Sequence, residues 1–344
     1  MRIDRASRAL SRPASLCLTL WCAACSGAMD SGAGSQSDAG ETGLRRTEPT
    51  RSTDEPAAPT IHAAAHDERT RSPADATPSP DGTRVYYVAL GRDDTGEDRP
   101  GVFSVAADGG APQTLASGAP FAYPVNIATS LDGQQLFVAD RAAGDRAQGA
   151  LLALGVDNGT AQIIDGTQNY RPGGLTVRTF EGREQVLFSG IDPERGSAGL
   201  FAIAPTGGAV QTLASGDAFH EPSGVAAATD GTAYVVDIAD GSAQVLRVRR
   251  DRVEPVLTAI GVGFPAGIAL TRDEKTLLVS GIDVTTRHDV VHVVDLASGR
   301  HSQWTQGISA FAEAAGLHRA HDRDVFAWAD SQADRSGTVY VLEP

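Results

Sequence analysis

Few side chains in this sequence have both the type and the spacing that chemistry requires. His220 and Glu221 are adjacent, and a histidine beside a carboxylate can act as a general base with an orienting acid. Tyr123, Arg171 and Phe264 occupy the same place in their own segments as Glu221 does, immediately before a short apolar run. Together with Asn126 they form a candidate ligand-binding set. Asp140, Asp192, Asp237, Asp283 and Asp330 recur at intervals of 45–52 residues, several with Arg141, Arg195, Arg287 or Arg335 close by. Gathered on one face they would make a charged ring for a cationic ligand. A feature repeated so regularly is explained more simply by aspartates accepting hydrogen bonds from their own turns. His288 and His292 are four apart, but the surrounding β-type sequence separates them rather than pairing them on one face. There is no Gly-x-Ser-x-Gly nucleophile turn and no phosphate-cradling Walker loop. A non-catalytic binding or scaffold module is therefore the expectation.

Cys17, Cys22 and Cys25 are the only cysteines, so no disulfide framework or zinc cluster can be built in the remainder of the chain. They sit in a segment with a basic start (Arg2, Arg5, Arg8, Arg12) and a short apolar stretch from Ala14 to Ala24. That stretch is too short to span a bilayer and suits a secretory signal over 1–24. Small residues ahead of Cys25 resemble the bacterial lipobox, with Cys22 where leucine is usual. The resemblance implies an exported protein, lipidated at Cys25 and anchored at the outer membrane. Residues 25–71 are rich in Ser, Gly, Ala, Thr and Pro, with almost no aliphatic side chains. Such a composition cannot bury enough apolar area to offset its ordering entropy, so a disordered tether is expected. A flexible coil of that length spans roughly 35–40 Å.

The chain has 344 residues, with 43 Asp plus Glu against 29 Lys plus Arg, a net charge of −14. That balance argues against nucleic acid as a partner, because phosphate binding needs a basic face. From residue 72 onward the sequence repeats. QTLASG occurs at 113–118 and 211–216, and SGID at 189–192 and 280–283. Turns of the Asp-Gly kind fall at 81, 132, 181, 230, 273 and 322, spaced by 43–51 residues. Asp-Gly between apolar runs is a strong hairpin signal, and six units of this length point to a six-bladed β-propeller over 72–344, each blade a four-stranded sheet. Only 22 residues follow Asp322, too few for a complete last blade. An open edge invites aggregation, so residues 60–66 are expected to supply the missing outer strand. A ring closed in this way is expected to be monomeric.

Each inner strand begins with a related motif: Arg171-Pro-Gly-Gly-Leu175, Glu221-Pro-Ser-Gly-Val225 and Phe264-Pro-Ala-Gly-Ile268, with weaker copies at Tyr123-Pro-Val-Asn-Ile127 and Glu313-Ala-Ala-Gly-Leu317. Proline fixes φ at the start of the strand, and glycine allows close backbone approach near the axis. His318 follows the last copy, where a packed, hydrogen-bonded histidine is expected. The motif, followed by Asp-Gly and a strand such as Leu136–Asp140, resembles six-bladed propellers of the NHL and gluconolactonase-like group; Ser79-Pro-Asp-Gly-Thr83 is also similar to the repeat of TolB-type propellers. The gluconolactonase-like resemblance implies, as the alternative function, a lactonase-like hydrolase with a calcium or zinc ion in the central channel. Its ligand positions just before the strand glycine are here Gly173, Ser223, Ala266 and Ala315, none of them a carboxylate or amide. Asp75 and Asn126, one place later, are the remaining candidates for a cation.

Overall fold

The computed structural model describes residues 59–250, 252–305 and 313–343. The segment 1–24, Cys25 and the part of the tether up to residue 58 lie outside the described residues.

The described chain is a ring of six antiparallel sheets, each with four strands. The first blade holds β2 (Thr70–Pro78), β3 (Arg84–Arg92), β4 (Asp98–Ala106) and β5 (Gln113–Ser117). The second holds β6 (Pro124–Thr129), β7 (Gln135–Asp140), β8 (Ala150–Gly155) and β9 (Ala161–Ile163). The third runs through β10 (Gly174–Phe180), β11 (Arg183–Ile191), β12 (Ala198–Ile203) and β13 (Gln211–Ser215). The fourth has β14 (Glu221–Ala227), β15 (Ala233–Ala239), β16 (Ser242–Arg249) and β17 (Arg252–Ile260). The fifth has β18 (Ile268–Leu270), β19 (Thr276–Asp283), β20 (His288–Asp295) and β21 (His301–Trp304). The sixth is closed from the other end of the chain. Its order is β1 (Thr60–Ala65), β24 (Thr338–Glu343), β23 (Phe326–Asp330) and β22 (Ala314–Arg319). Thr60 lies opposite Glu343 and Ala65 opposite Val339, so β1 satisfies the outer edge of β24.

The hairpins between first and second strands are built by the Asp-Gly turns. Gly82 and Gly133 both adopt a φ of 73°, which side chains disfavour. The aspartate ahead of each glycine accepts the backbone N–H two residues on, from Thr83 and Gln134 at 3.1 and 3.0 Å. Sheets buried on both faces explain continuous apolar runs such as Leu136–Ala139. The core is divided into layers between neighbouring blades. Ala76, Tyr87 and Phe103 of the first blade pack on Val325, Ala327 and Val341 of the sixth. Phe137 of the second packs with Phe188 and Phe201 of the third.

The loops joining second to third strands differ in length around one rim. In the second blade this loop is long, residues 141–149, whereas the fourth blade turns on Asp240 and Gly241 alone.

Candidate functional site

The inner strands surround a channel, and the cation candidates are already committed within its wall. Asp75 is fully buried and accepts three hydrogen bonds: from Ala76 N at 2.7 Å, Ile127 N at 2.8 Å and the His318 ring at 2.9 Å. Asn126, one blade on, is equally buried and accepts the Leu175 N–H at 2.8 Å through Oδ1. In the fourth blade the same job falls to Ser223 Oγ, which accepts Ala266 N–H at 2.9 Å. These side chains are staples that tie one blade to the next. Glycines occupy the equivalent position elsewhere, because a Cβ on Gly267 would collide with the backbone of Gly316. A hard cation needs several free oxygens converging on a point. The Asp75 and Asn126 oxygens face backbone N–H groups instead, and no group of three His, Cys, Asp or Glu is arranged to hold a metal among the described residues. The residues present do not fit a channel cation. Nor does Asn126 join the binding set at the rim, since it faces the third blade.

The repeated aspartates also divide by role. Asp140, Asp192, Asp283 and Asp330 accept backbone N–H groups from the loop that follows them, for example Ala143, Glu194, Thr285 and Ala333 at 2.8–2.9 Å. Asp237 is the exception. The two-residue turn after it offers no such donors, and its buried carboxylate accepts His220 N at 2.8 Å, the His220 Nδ1–H at 3.2 Å and Gln244 Nε2 at 3.1 Å. The imidazole is thus oriented from behind, while 56% of its side chain stays exposed. A carboxylate on one ring nitrogen selects the tautomer that leaves the other as an acceptor.

Around this histidine lies the channel mouth. Tyr123 is 56% exposed, and its carbonyl accepts the Arg141 N–H at 2.9 Å. Arg141 reaches from the second blade to the far side of the mouth. Its guanidinium stands 5.0 Å from the Phe264 ring centroid and 3.6 Å from Glu221. Arg171 is exposed beside the same loop, its N–H bonded to Gln148 O at 3.0 Å. Arg141 thus connects Tyr123 of its own blade, through the backbone, with the side chains of Glu221 and Phe264. Sequence reasoning placed Arg141 only next to Asp140. Its position at the start of the longest loop between second and third strands was the available signal, but which blade it would reach was not encoded locally.

The opposite end of the channel is lined by inner-strand side chains of all six blades. A cavity of about 70 Å³ is bounded there by Thr77, Thr129, Thr176, His318, Arg319 and His321. Arg319 donates to four backbone carbonyls, Leu270 and Ala320 at 2.8 and 2.6 Å and His321 and Arg323 at 3.2 and 3.3 Å. His321 crosses to the second blade and donates to Thr129 O at 2.8 Å. Burial lowers the His321 pKa and keeps the ring neutral. A further buried pair went unnoticed in the sequence. Asp289 of the fifth blade lies beside Asp330 of the sixth, and burial together with that neighbour raises the Asp289 pKa far above the usual carboxylate range.

No family model and no curated protein matches this chain in sequence. Solved structures match its fold. A PQQ-bound aldose sugar dehydrogenase from Streptomyces coelicolor superposes with a TM-score of 0.59 at 11% identity, over 84% of this chain and 99% of that one. A gluconolactonase from Xanthomonas campestris gives 0.51 at 18%, over 83% and 94%. TolB from Acinetobacter baumannii gives 0.52 at 12%, over 71% and 56%. At these identities the likeness establishes architecture, and the architecture is the six-bladed β-propeller shared with gluconolactonase-like and TolB proteins.

Proposed function

We propose that this propeller is a non-catalytic binding module of the cell envelope, carried on a lipid anchor at Cys25 and recognising a protein, peptide or glycan at the channel mouth. The observation that supports the reading is the contrast between committed and uncommitted groups. Asp75, Asn126 Oδ1 and Ser223 Oγ accept N–H groups from the neighbouring blade, while Tyr123, Arg171, His220 and Glu221 are exposed at the starts of their inner strands and Arg141 lies beside Glu221 and Phe264. Aromatic and arginine side chains are the usual anchors of a recognition surface. Peptide and glycan arrays probed with the purified domain test this. Binding should be lost in Tyr123→Ala and His220→Ala with the fold intact by circular dichroism; arrays that score the variants like the wild type would place recognition elsewhere. For the anchor, Cys25→Ala should move the protein from the membrane to the soluble fraction, and continued membrane association would refute lipidation.

The alternative is a lactonase-like hydrolase. It draws support from the oriented His220 and from the likeness to a gluconolactonase fold. An ion bound only by the folded state must raise the melting temperature with its concentration. Melting curves unmoved by calcium, zinc or chelator, with no turnover of gluconolactone, would exclude the metal-dependent form.

A further inference from the structure

Resting on the mouth as the binding site, we infer that its ligand presents a planar carboxylate to Arg141, next to an aromatic or aliphatic body that lies on Tyr123. The inference starts from a guanidinium with unused donors. Arg141 carries five N–H groups in a fixed fork, and its side chain is only 18% exposed. Yet the nearest carboxylate, Glu221, stands at 3.6 Å, beyond hydrogen-bond length. Other partly buried guanidiniums are treated differently. Arg319 has four carbonyl acceptors, and Arg178 has Gly231 O at 3.2 Å and Gln185 Oε1 at 3.2 Å. The Phe264 ring, its centroid 5.0 Å from the guanidinium carbon, attracts the cation without using its N–H groups.

Three features narrow the ligand. A guanidinium is itself a planar fork and pairs best with an anion that accepts two parallel hydrogen bonds. Glu221 already lies loosely on the same side, so the site tolerates a carboxylate there. Its negative charge disfavours a dianion such as phosphate at the same place. Tyr123 follows directly, its carbonyl bonded to the Arg141 backbone and its ring open to solvent. A free organic acid and the C-terminal residue of a peptide share this chemistry.

Calorimetry on the purified domain with benzoate, benzamide and inorganic phosphate tests the inference. Benzamide keeps the shape and removes the charge. Benzoate should bind with a Kd on the order of 1 mM and raise the melting temperature by about 2–4 °C at ten times that concentration. Benzamide and phosphate should do neither. Arg141→Lys should weaken benzoate about tenfold or more, since an ammonium cannot form the bidentate pair. Glu221→Gln should tighten it about threefold by removing the competing charge. Equal binding of benzoate and benzamide, or benzoate binding unchanged in Arg141→Lys, overturns the inference. So does tighter binding of phosphate than of benzoate. The tripeptide Ala-Ala-Phe, compared with its C-terminal amide, separates the two sources: preference for the free acid over its amide, at an affinity above benzoate, assigns a chain terminus, and binding no tighter than benzoate assigns a small acid. The binding-module reading fails separately, when Tyr123→Ala and His220→Ala leave array binding intact.

Discussion

At the end of the channel away from His220, Arg319 gives its N–H groups to four carbonyls, and His318 and His321 are each bonded to a group on another blade. At the mouth Arg141 has the same side chain and a similar degree of burial but no hydrogen-bonded side-chain partner among the described residues, and His220 has one ring nitrogen held and a side chain that is 56% exposed. Both ends therefore carry histidine, arginine and a buried aspartate. What differs is whether the donors are spent. Satisfied polar groups across blade junctions hold a ring together, whereas poised and unsatisfied ones are available to a ligand. Identical residue types thus serve stability at one end and recognition at the other.

The sharpest way to break this contrast is to remove a staple in the channel wall. Asp75→Ala leaves the His318 ring and the Ile127 N–H buried without a partner, in the wall between the first blade and its neighbours. Stability should fall by about 3–5 kcal/mol, read as the shift of a urea unfolding midpoint at constant slope. A loss below about 1 kcal/mol would mean that Asp75 is not a staple and would reopen it as a ligand.

The Asp289–Asp330 pair extends the comparison to the seam between the fifth and sixth blades. The folded-state pKa of Asp289 is raised from an ordinary value of 3.8, so the folded protein holds a proton that the unfolded chain releases. Its contribution to stability is complete below that ordinary value and declines as pH rises towards the raised one. Asp289→Asn keeps a donor and removes the titration. The variant should gain roughly 1–3 kcal/mol over wild type near pH 8 and lose part of the wild-type slope between pH 5 and 9. Parallel stability curves for the two proteins would show that the pair shares no proton.

His321 gives the opposite sign. Its folded pKa lies below its ordinary value, so its contribution is present above that value and lost as pH falls. The buried His292, pushed down to about 4, adds to the same acid limb. In His321→Gln the fall in stability between pH 7 and pH 5 should shrink by about 1 kcal/mol, leaving a remainder that belongs to His292. An acid limb as steep as that of the wild type would mean that the ring is not held neutral at the channel floor.

These differences also explain what was legible beforehand. The Asp-Gly turns and the Pro-x-Gly motif act within a few residues, so blade number, strand order and the need for small residues near the axis could be read from spacing alone. The staples could not. Asp75 and His318 are 243 positions apart and meet only because the ring closes, and Asp75 taken alone has the chemistry of a metal ligand. Four of the repeated aspartates followed the rule of the turn; Asp237 departs from it because β15 and β16 stay paired as far as Ala239 and Ser242, so the residues after this aspartate are strand and not loop. Arg141 was misjudged for a related reason: a guanidinium at the end of a flexible stem finds partners across space, which no local pattern records.

The smallest expected effect tests the contrast most directly. Arg141→Ala removes a side chain that makes no hydrogen bond, a loose ion pair and one ring stack, and partly exposed ion pairs contribute about 0–1 kcal/mol. Stability should change by less than about 1 kcal/mol, since the backbone bond from Arg141 N–H to Tyr123 O survives the substitution. The matched change at the other end, Arg319→Ala, leaves four carbonyls without their donor and should cost about 2–4 kcal/mol. The two substitutions delete the same atoms, so the difference between them reports partners and not side-chain size. Equal losses would show that Arg141 is as structural as Arg319 and that the mouth holds no donor in reserve. A near-neutral Arg141→Ala beside a costly Arg319→Ala would mean that the arginine at the mouth is kept for something the folded chain does not itself provide.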